Sequence, residues 1–369
     1  MIRVLNIISD SNVGGAGRVL LNYLRCSDRS RFETLIAVPR GSLLKKQLEE
    51  LGGAVYEVDG LAERSFHPAD VGALSKLMRE LRPEVVHTHG ALSARLAARR
   101  CRVPVVVMTK HCPAHRGGVL NRTAHRIVDG MFTDAVLAVS DTVGRQLAAS
   151  GTPKQKIHVV YNGIVPQKPW DESAQSALRE KLGLESGVRW IGAAARLEPV
   201  KGVDLFLDAA RDIAQRRSDI RFVVFGTGSE EQRLRELAGT LGGAVRFGGF
   251  VRDIEQALAL LDVTVVPSRE EAFCLTAAES LSMGTPVAAF DVDGVSEVVR
   301  NGETGLLVPA GDTRALAAAI ERLADDAPLR RTLGQNGQNL VRRRFTADVM
   351  ARSIEEIYER MLRQKNRLA

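Results

Sequence analysis

Short apolar runs alternate with amphipathic stretches along the whole chain. Six runs in the first half predict buried β-strands: IRVLNII, ETLIAVP, EVVHTH, VPVVVMT, AVLAVS and IHVVYN. Six runs in the second half have the same character: RWIGAAA, IRFVVFG, AVRFGGF, VTVVPS, TPVAAF and TGLLVP. Between them, GALSKLMREL, VDLFLDAARDIAQRR and ALAAAIERLADD have apolar residues at helical spacing. Continuous apolar strands separated by helices predict parallel sheets covered on both faces.

Two sets of six strands predict two doubly wound α/β domains, a number that suits a chain of 369 residues. The predicted N-terminal domain covers residues 1–165 and the predicted C-terminal domain covers 170–349. The segment NGIVPQKPWDESAQ, which contains two prolines, is the predicted linker. The final polar helix, about residues 350–369, is expected to pack back on the first domain. Two such domains would form a cleft, with ligands at the carboxyl ends of the strands.

The composition is that of a globular protein, with 45% hydrophobic and 26% charged residues. No apolar run approaches the ~20 residues that span a bilayer. The opening segment MIRVLNIISDSNVGG predicts a first strand and turn, not a signal peptide. The cysteines lack paired spacing, which favours a cytoplasmic protein without disulfides. They are Cys26, Cys101, Cys112 and Cys274.

The net charge of +7 is concentrated in the first half of the chain. Residues 1–165 contain 23 basic and 14 acidic side chains, a net +9, and the remainder has a net −2. A basic half can attract nucleic acid, anionic lipid or a phosphorylated substrate. The alternative is an ordinary solvated surface rich in arginine. Only 5% of the residues are aromatic and no nucleic-acid motif is recognisable, so no nucleic-acid partner is expected.

Two glutamates flank the start of a predicted helix in REEAFCLTAAES. If VTVVP is a buried strand, CLTAAESLSMG is a helix whose first amides, near Leu275 and Thr276, could hold a phosphate. Glu271 and Glu279 could then accept hydrogen bonds from hydroxyls on either side of a diphosphate, as a nucleotide sugar would require. The alternative, acids placed near a helix N-terminus, explains Glu271 but not Glu279.

A second candidate is the strand-to-helix loop in AAARLEPVKGVD. Arg196 could make a forked contact with a diphosphate and Lys201 could contribute a point charge. The alternative is a loop with ordinary surface charges.

Glycines form a third group. Gly14, Gly15 and Gly17 follow the first strand and would permit positive φ or close approach of a ligand. They do not fit G-x-G-x-x-G, and FGTGSEE, which begins at Phe225, also fails because Glu231 occupies the third glycine position. A nicotinamide enzyme is therefore disfavoured, and tight turns are the alternative at both places.

Metal binding is not expected. His111, Cys112 and His115 supply only three possible ligands, without a second cluster. His111 is instead expected at a strand end facing the cleft. Asp291 and Asp293 form a D-x-D pair of a kind that is common by chance, and Arg196 and Lys201 already supply phosphate charge.

In combination, these features resemble the retaining, nucleotide-sugar-dependent glycosyltransferases of family 4, which have the GT-B fold of two Rossmann-like domains. The resemblance is carried by the E-x7-E pair Glu271 and Glu279, by ARLEPVKG, and by VVFGTGSE, VRFGGFV, VPSREEAF, ESLSMGTPVAAF and NGETGLLVP in the family's order. NVGGAGR, VVHTHG, TKH, AVS and YNGI are the landmarks of the first half.

The resemblance implies a metal-independent hexosyltransferase with a role for each matching position. Arg196 and Lys201 would bind the donor diphosphate, Glu271 the sugar hydroxyls and Glu279 the ribose, and His111 would lie near the reacting sugar. Retention would come from front-face attack, with the donor phosphate taking the acceptor proton. The remaining substrate-binding positions are Gly14, Gly15, Gly226, Phe250, Val251, Phe273, Cys274, Leu275 and Thr276.

Two departures from the family pattern concern the sugar pocket. The common E-G-F-G is Glu271-Ala272-Phe273-Cys274 here, and Asp293 replaces one glycine of G-G-x-x-E. Alanine and cysteine are small, so the pocket is expected to survive with the sugar identity in doubt.

The expected acceptor is a glycan or a lipid-linked carbohydrate in cell-surface polysaccharide or glycolipid assembly. Arg116, Arg122 and Arg126 could meet a lipid phosphate or an anionic membrane surface on the cytoplasmic side. The alternatives are a nucleotide-sugar epimerase of the same architecture and a non-catalytic partner subunit. The joint presence of Arg196, Lys201 and the E-x7-E pair argues against both.

Overall fold

The chain divides into two compact units. A computed structural model describes residues 1–11, 14–61, 65–113 and 118–367. Unit 1 consists of Met1–Val165 together with Thr346–Ala369, and unit 2 is the continuous segment Pro166–Phe345. The first division lies within the segment predicted as the linker. The chain therefore leaves unit 1 once and returns to it once.

Unit 1 contains a sheet of seven parallel strands among its described residues. They are β1 (Ile2–Ile7), β2 (Phe32–Pro39), β3 (Ala54–Val58), β4 (Val85–Thr88), β5 (Val105–Lys110), β6 (Ala135–Ala138) and β7 (Ile157–Val159). Their spatial order is β3-β2-β1-β4-β5-β6-β7. The helices are α1 (Gly15–Cys26), α2 (Leu44–Glu50), α3 (Pro68–Leu81), α4 (Leu92–Arg100), α5 (Val119–Phe132), α6 (Asp141–Ala149) and, at the end of the chain, α15 (Ala347–Asn366).

The prediction of six strands in this half was wrong, because β3 was missed. This strand lies at the edge of the sheet and its residues, AVYEV, are mostly half-buried. An edge strand is less covered than a central one, so its sequence need not be continuously apolar. Glu57 within it pairs with Lys45 at 2.7 Å, which explains the acid that interrupts the apolar run.

Unit 2 contains the six predicted strands in a second parallel sheet. They are β8 (Arg189–Ala194), β9 (Ile220–Phe225), β10 (Val245–Gly249), β11 (Val263–Val266), β12 (Val287–Phe290) and β13 (Gly305–Val308), in the order β10-β9-β8-β11-β12-β13. The helices are α7 (Glu172–Lys181), α8 (Val203–Ala214), α9 (Glu231–Gly239), α10 (Ile254–Ala259), α11 (Leu275–Met283), α12 (Val295–Val298), α13 (Thr313–Asp325) and α14 (Ala327–Arg344).

Each sheet has a point where the direction of strand succession reverses. In unit 1 this switch point lies between β1 and β4, and in unit 2 it lies between β8 and β11. Loops diverge there at the carboxyl ends of the strands and leave a crevice for a ligand. The helices hold the sheets in place through apolar stripes: α8 buries Phe206 and Ile213 in unit 2, and α15 buries Ile354 and Tyr358 in unit 1.

Candidate functional site

Two loops meet at the switch point of unit 2. One follows β8 and carries Lys201, and the other follows β11 and carries Ser268 and Glu271. The Lys201 ammonium lies 2.7 Å from Glu271 Oε1, and the Ser268 hydroxyl donates to the same oxygen at 2.9 Å. The structure thus brings together two predicted site residues that are 70 positions apart in the chain.

Arg269 ties these two loops into one platform. Its guanidinium donates to both carboxylate oxygens of Asp204, at 2.9 and 2.8 Å, and to the carbonyl of Pro199 at 2.7 Å. Its backbone N–H donates to the carbonyl of Val200 at 2.9 Å. A forked contact of this kind restricts orientation as well as distance, so the loops that carry Lys201 and Glu271 are held in register before any ligand binds.

Both cations of the β8 loop are accessible to a ligand. The Lys201 side chain is 21% exposed and that of Glu271 is 12% exposed. Arg196 is exposed and makes no ion pair with the residues that the structure describes. Two positive groups in one loop, one of them in contact with a carboxylate, suit an anionic ligand that also carries hydroxyls.

The start of α11 adds backbone donors to this platform. The N–H groups of the first helical turn, at Leu275 and Thr276, have no acceptor within the helix. The Thr276 hydroxyl donates to the carbonyl of Ala194 at 3.1 Å, which fixes the helix start against the end of β8. Glu279, one turn further along, is only 2% exposed. A buried carboxylate costs free energy unless it is hydrogen-bonded, so Glu279 does not decorate a solvated helix face.

Cys274 is the N-cap of α11 and has an unusual backbone conformation. Its φ of 72° lies in the left-handed region that glycine adopts most readily. Burial raises the pKa of its thiol, and the carboxylate of Glu271 raises it further. The thiol therefore stays protonated and is not a nucleophile.

Phe273 contributes to the platform through its backbone, because its ring is buried. The ring packs edge-to-face on Phe345, with centroids 5.3 Å apart. The candidates Gly226, Phe250 and Val251 lie just beyond the ends of β9 and β10. Phe250 is 73% exposed, whereas Val251 packs on the apolar cluster around Trp190.

The glycines that follow the first strand do not adopt the positive φ that their sequence permits. Gly14 caps α1 with a φ of −86°, and Gly15 is the first residue of that helix. A Cβ at Gly15 would meet nothing within 4 Å, whereas one at Gly17 would lie 2.7 Å from the Leu44 side chain. A larger residue at Gly17 would therefore require the Leu44 side chain to move. Close approach of a ligand at Gly14 and Gly15 stays a prediction.

His111 belongs to a row of stacked histidines that the sequence analysis did not single out. Its Nε2 lies 2.7 Å from His89 Nδ1, and the two rings are stacked with centroids 5.0 Å apart. The His89 ring in turn stacks on His87 at 4.8 Å. The signal was the spacing of VVHTHG at the end of β4, next to TKH at the end of β5, because neighbouring parallel strands bring their carboxyl ends together.

Burial keeps all three histidines neutral at neutral pH. It lowers the pKa of His89 to about 4. Burial also lowers the pKa of His87 and His111 well below the ordinary value, and the neighbouring histidines of the row lower both further. A neutral imidazole has one donor and one acceptor nitrogen, so each ring can orient a partner without adding charge.

Acid should therefore destabilise unit 1 selectively. The unfolded chain protonates His89 near pH 6.5, but the folded chain does so only near pH 4. Stability is thus fully present above pH 6.5 and is lost as the pH falls towards 4, by about 3 kcal/mol for His89 alone. All four tyrosines lie in unit 1 and both tryptophans in unit 2. Between pH 7.5 and 5 we expect the urea midpoint from tyrosine absorbance to fall more than that from tryptophan emission.

The control for this experiment is unit 2 of the same variant. His89→Gln should flatten the pH dependence of the tyrosine midpoint, whereas the tryptophan midpoint should keep its wild-type pH dependence, because His89 lies in unit 1. Equal slopes in wild type and His89→Gln would contradict the assignment.

The remaining predicted features are basic residues near α5, the cysteines and the candidate metal ligands. Arg122 and Arg126 are exposed on α5, whereas His115 and Arg116 lie outside the described residues. All four cysteines are free. Within the described ranges, no three His, Cys, Asp or Glu side chains are grouped closely enough for a metal ion. None of the described helices has the length and apolarity to cross a membrane.

Comparison with known proteins identifies the family. Residues 13–168 match the family model described as Glycosyltransferase Family 4, and residues 174–340 match that of Glycosyl transferases group 1. D-inositol 3-phosphate glycosyltransferase of Xylanimonas cellulosilytica is 32% identical over 76% of this chain and 73% of its own length. The chain belongs to the family 4 glycosyltransferases.

Two further proteins resemble it over different extents. The lipopolysaccharide core biosynthesis mannosyltransferase LpsB of Rhizobium meliloti is 33% identical over 62% of this chain, and the match spans 66% of LpsB, just under two-thirds of its length. The crystal structure of Anabaena HepE in complex with UDP-glucose superposes with a TM-score of 0.85 at 23% identity, covering 97% of this chain and all of HepE. That likeness shows the GT-B fold. The Lys201–Glu271 platform lies in the group 1 segment, and the histidine row lies in the family 4 segment.

Proposed function

We propose that this protein is a retaining glycosyltransferase that moves a sugar from a nucleotide-diphosphate sugar to a carbohydrate or lipid-linked acceptor. The observation that carries the proposal is the Lys201–Glu271 contact at the switch point of unit 2, beside the start of α11. A cation for the diphosphate, a carboxylate for sugar hydroxyls and helix amides are grouped there. These are the groups that stabilise a departing diphosphate and an oxocarbenium-like sugar.

In the proposed reaction the bond from the sugar carbon to the donor phosphate breaks and a bond to an acceptor hydroxyl forms on the same face. The acceptor proton moves to the departing phosphate, so that charge and atoms balance without a metal. Lys201 and Arg196 neutralise the leaving diphosphate. HepE was solved with UDP-glucose, which makes uridine diphosphate the first nucleotide to test.

The test is a thermal-shift screen of nucleoside diphosphates and nucleotide sugars, with and without a chelator. A ligand that binds the folded state must raise its melting temperature. We expect a shift with one nucleoside diphosphate that survives the chelator, is lost in Lys201→Ala and is kept in Lys181→Ala, an exposed lysine at the end of α7. No shift with any nucleotide would favour the partner-subunit alternative.

We further propose that the protein binds an anionic membrane surface through α5 while acting in cell-surface polysaccharide or glycolipid assembly. Arg122 and Arg126 are exposed on this helix, together with Ile127 at 51% and Met131 at 64%. The acid of the helix, Asp129, is buried and pairs with Arg95 at 2.7 Å, so it does not offset the exposed arginines. Basic and apolar side chains exposed on one helix suit a charged lipid interface.

A liposome flotation assay tests this surface. Wild type should float with anionic vesicles and stay behind with neutral ones. Arg122→Glu with Arg126→Glu should abolish flotation because it reverses the attraction. The matched control is Lys76→Glu with Arg79→Glu on the exposed side of α3, which should still float. Equal recovery with neutral and anionic vesicles would exclude this role.

A further inference from the structure

A buried polar patch lies on one face of the unit 1 sheet, near its switch point. Asn6 of β1 is aligned with His87 of β4. Both ring nitrogens of His87 have hydrogen-bond partners. Its Nδ1 lies 2.5 Å from the Tyr358 hydroxyl of α15, and its Nε2 lies 2.6 Å from the Thr109 hydroxyl. His87 is therefore fixed on both sides.

In the neighbouring pair, His89 and His111, only one nitrogen of each ring has a hydrogen-bond partner among the described residues. The two rings share the contact between His89 Nδ1 and His111 Nε2. Their outer atoms, His89 Nε2 and His111 Nδ1, are buried and have no partner among the described residues. Two neutral imidazoles share one hydrogen in such a contact, so one outer nitrogen must be a donor and the other an acceptor. The hydrogen-bond partner of His89 Nε2 therefore also affects whether His111 Nδ1 is a donor or an acceptor.

A small cavity lies beside the polar patch. Its lining includes Asn6, His87, His89, Thr109 and Asn162, together with apolar side chains of α1, β6 and α15. Its volume of about 10 Å³ corresponds to one water molecule. Asn6 is 1% exposed, and neither its amide nitrogen nor its amide oxygen has a partner among the described residues. A buried polar group without a partner costs about 1–3 kcal/mol, which one water would relieve at Asn6 and at His89.

We propose that this cavity is a binding site for a single water that bridges the Asn6 amide to His89 Nε2, and that His89 is a positioning residue for His111. The water hydrogen-bonds to His89 Nε2, and the hydrogen bond between the rings couples the tautomer of His89 to that of His111, so that loss of the water changes what His111 Nδ1 can donate or accept. The consequence for sugar transfer rests on the function proposed above. The water site and the coupling of the two rings do not.

The primary test is nitrogen-15 NMR of the protein with labelled histidine at pH 7.5, which reports ring tautomers without any substrate. Asparagine can replace Nδ1 of a histidine and glutamine can replace Nε2. We expect His89→Gln, which loses the contact with His111, to shift the His111 ring signals, and His89→Asn to shift them less. Asn6→Leu, which removes the water's partner, should also shift them. Ser75→Ala removes a buried hydroxyl that is likewise without a partner but does not line the cavity, and should leave them unchanged.

Oxygen-17 relaxation dispersion of the solvent tests the water itself. Wild type should show one more long-lived water than Asn6→Leu, and Ser75→Ala should match wild type. An equal number in wild type and Asn6→Leu would overturn the water site. His111 signals that are the same in wild type, His89→Gln and Asn6→Leu would overturn the coupling.

Measurements of turnover test the consequence for catalysis. His89→Gln should lower kcat about tenfold and change the donor KM by no more than about twofold. His89→Asn should retain kcat within about threefold. A loss of this size is typical when a residue that orients a functional side chain through a hydrogen bond is removed. Equal losses in the two variants would overturn the positioning role. If no nucleotide sugar is turned over at all, the proposed function fails while the NMR and relaxation experiments still decide this inference.

Discussion

Lys201→Ala should lower kcat with the preferred nucleotide sugar about 10²–10³-fold, the loss expected when one preorganised group for developing charge is removed. The ammonium group lies at the crevice edge with Glu271 as its carboxylate partner, so the variant removes the cation nearest to that acid. Initial rates with saturating donor and acceptor measure the effect. The melting temperature without ligand shows whether the fold is retained.

The contact with Glu271 sharpens this prediction. Both Lys201→Ala and Glu271→Gln should be severely impaired, but the double variant should lose less than the product of the two effects, because groups in direct contact are coupled. Lys181→Ala, on a solvated helix end, should retain wild-type kcat. Near-normal turnover by Lys201→Ala would remove this lysine from the catalytic group.

Gly226→Ala should destabilise unit 2 by about 3 kcal/mol or more, through backbone strain added to a steric clash. Gly226 has a φ of +121°, and a Cβ there would lie 1.9 Å from the carbonyl oxygen of Ala195. Relief would require movement of the β8–α8 loop that carries Arg196 and Lys201. Tryptophan emission in a urea titration reports the loss, since Trp190 is buried in β8.

A second glycine of the same connection is the control. Gly239 is the last residue of α9, and a Cβ there would meet nothing within 4 Å. Gly239→Ala should leave the tryptophan midpoint unchanged or raise it slightly, because alanine favours the helix. A Gly226→Ala midpoint equal to that of wild type would show that the clash is relieved without cost.

Most strands of unit 2 were predictable because they are short, largely apolar runs in a parallel sheet, and the half-buried edge strand β10 was recognised as well. The strand β3 was missed, because an edge position relaxes the need for a continuously apolar run. Helices were easier to predict than edge strands: α8 and α13 were recognised from the helical spacing of their apolar residues.

The candidate site was predictable as a set of residue types, but its internal contacts were not. Lys201 and Glu271 were each singled out by their place after a strand. Their contact depends on β8 and β11 being neighbours, which no local pattern specifies. His89 was overlooked for the same reason: its partner follows a different strand, and the cavity that it lines forms only when the sheet is assembled.

Cys274 shows a limit of another kind. Its small size suggested that the pocket would survive the replacement of the family's glycine, with the sugar identity in doubt. Its φ of 72° shows that the position demands a left-handed backbone, which costs roughly 1–2 kcal/mol for a residue other than glycine. Strain of this kind depends on the backbone conformation and cannot be deduced from side-chain volume.

The discontinuity of unit 1 sets an order for folding during synthesis. Residues 166–345 form one uninterrupted stretch, so unit 2 has its complete sequence before the last helix has been translated. Unit 1 begins first but must wait for α15, whose Met350 and Ile354 line the cavity beside Asn6 and whose Tyr358 holds His87. Until then the nascent chain exposes the polar patch of its first sheet. Of the two units, the one whose synthesis begins first is therefore completed second.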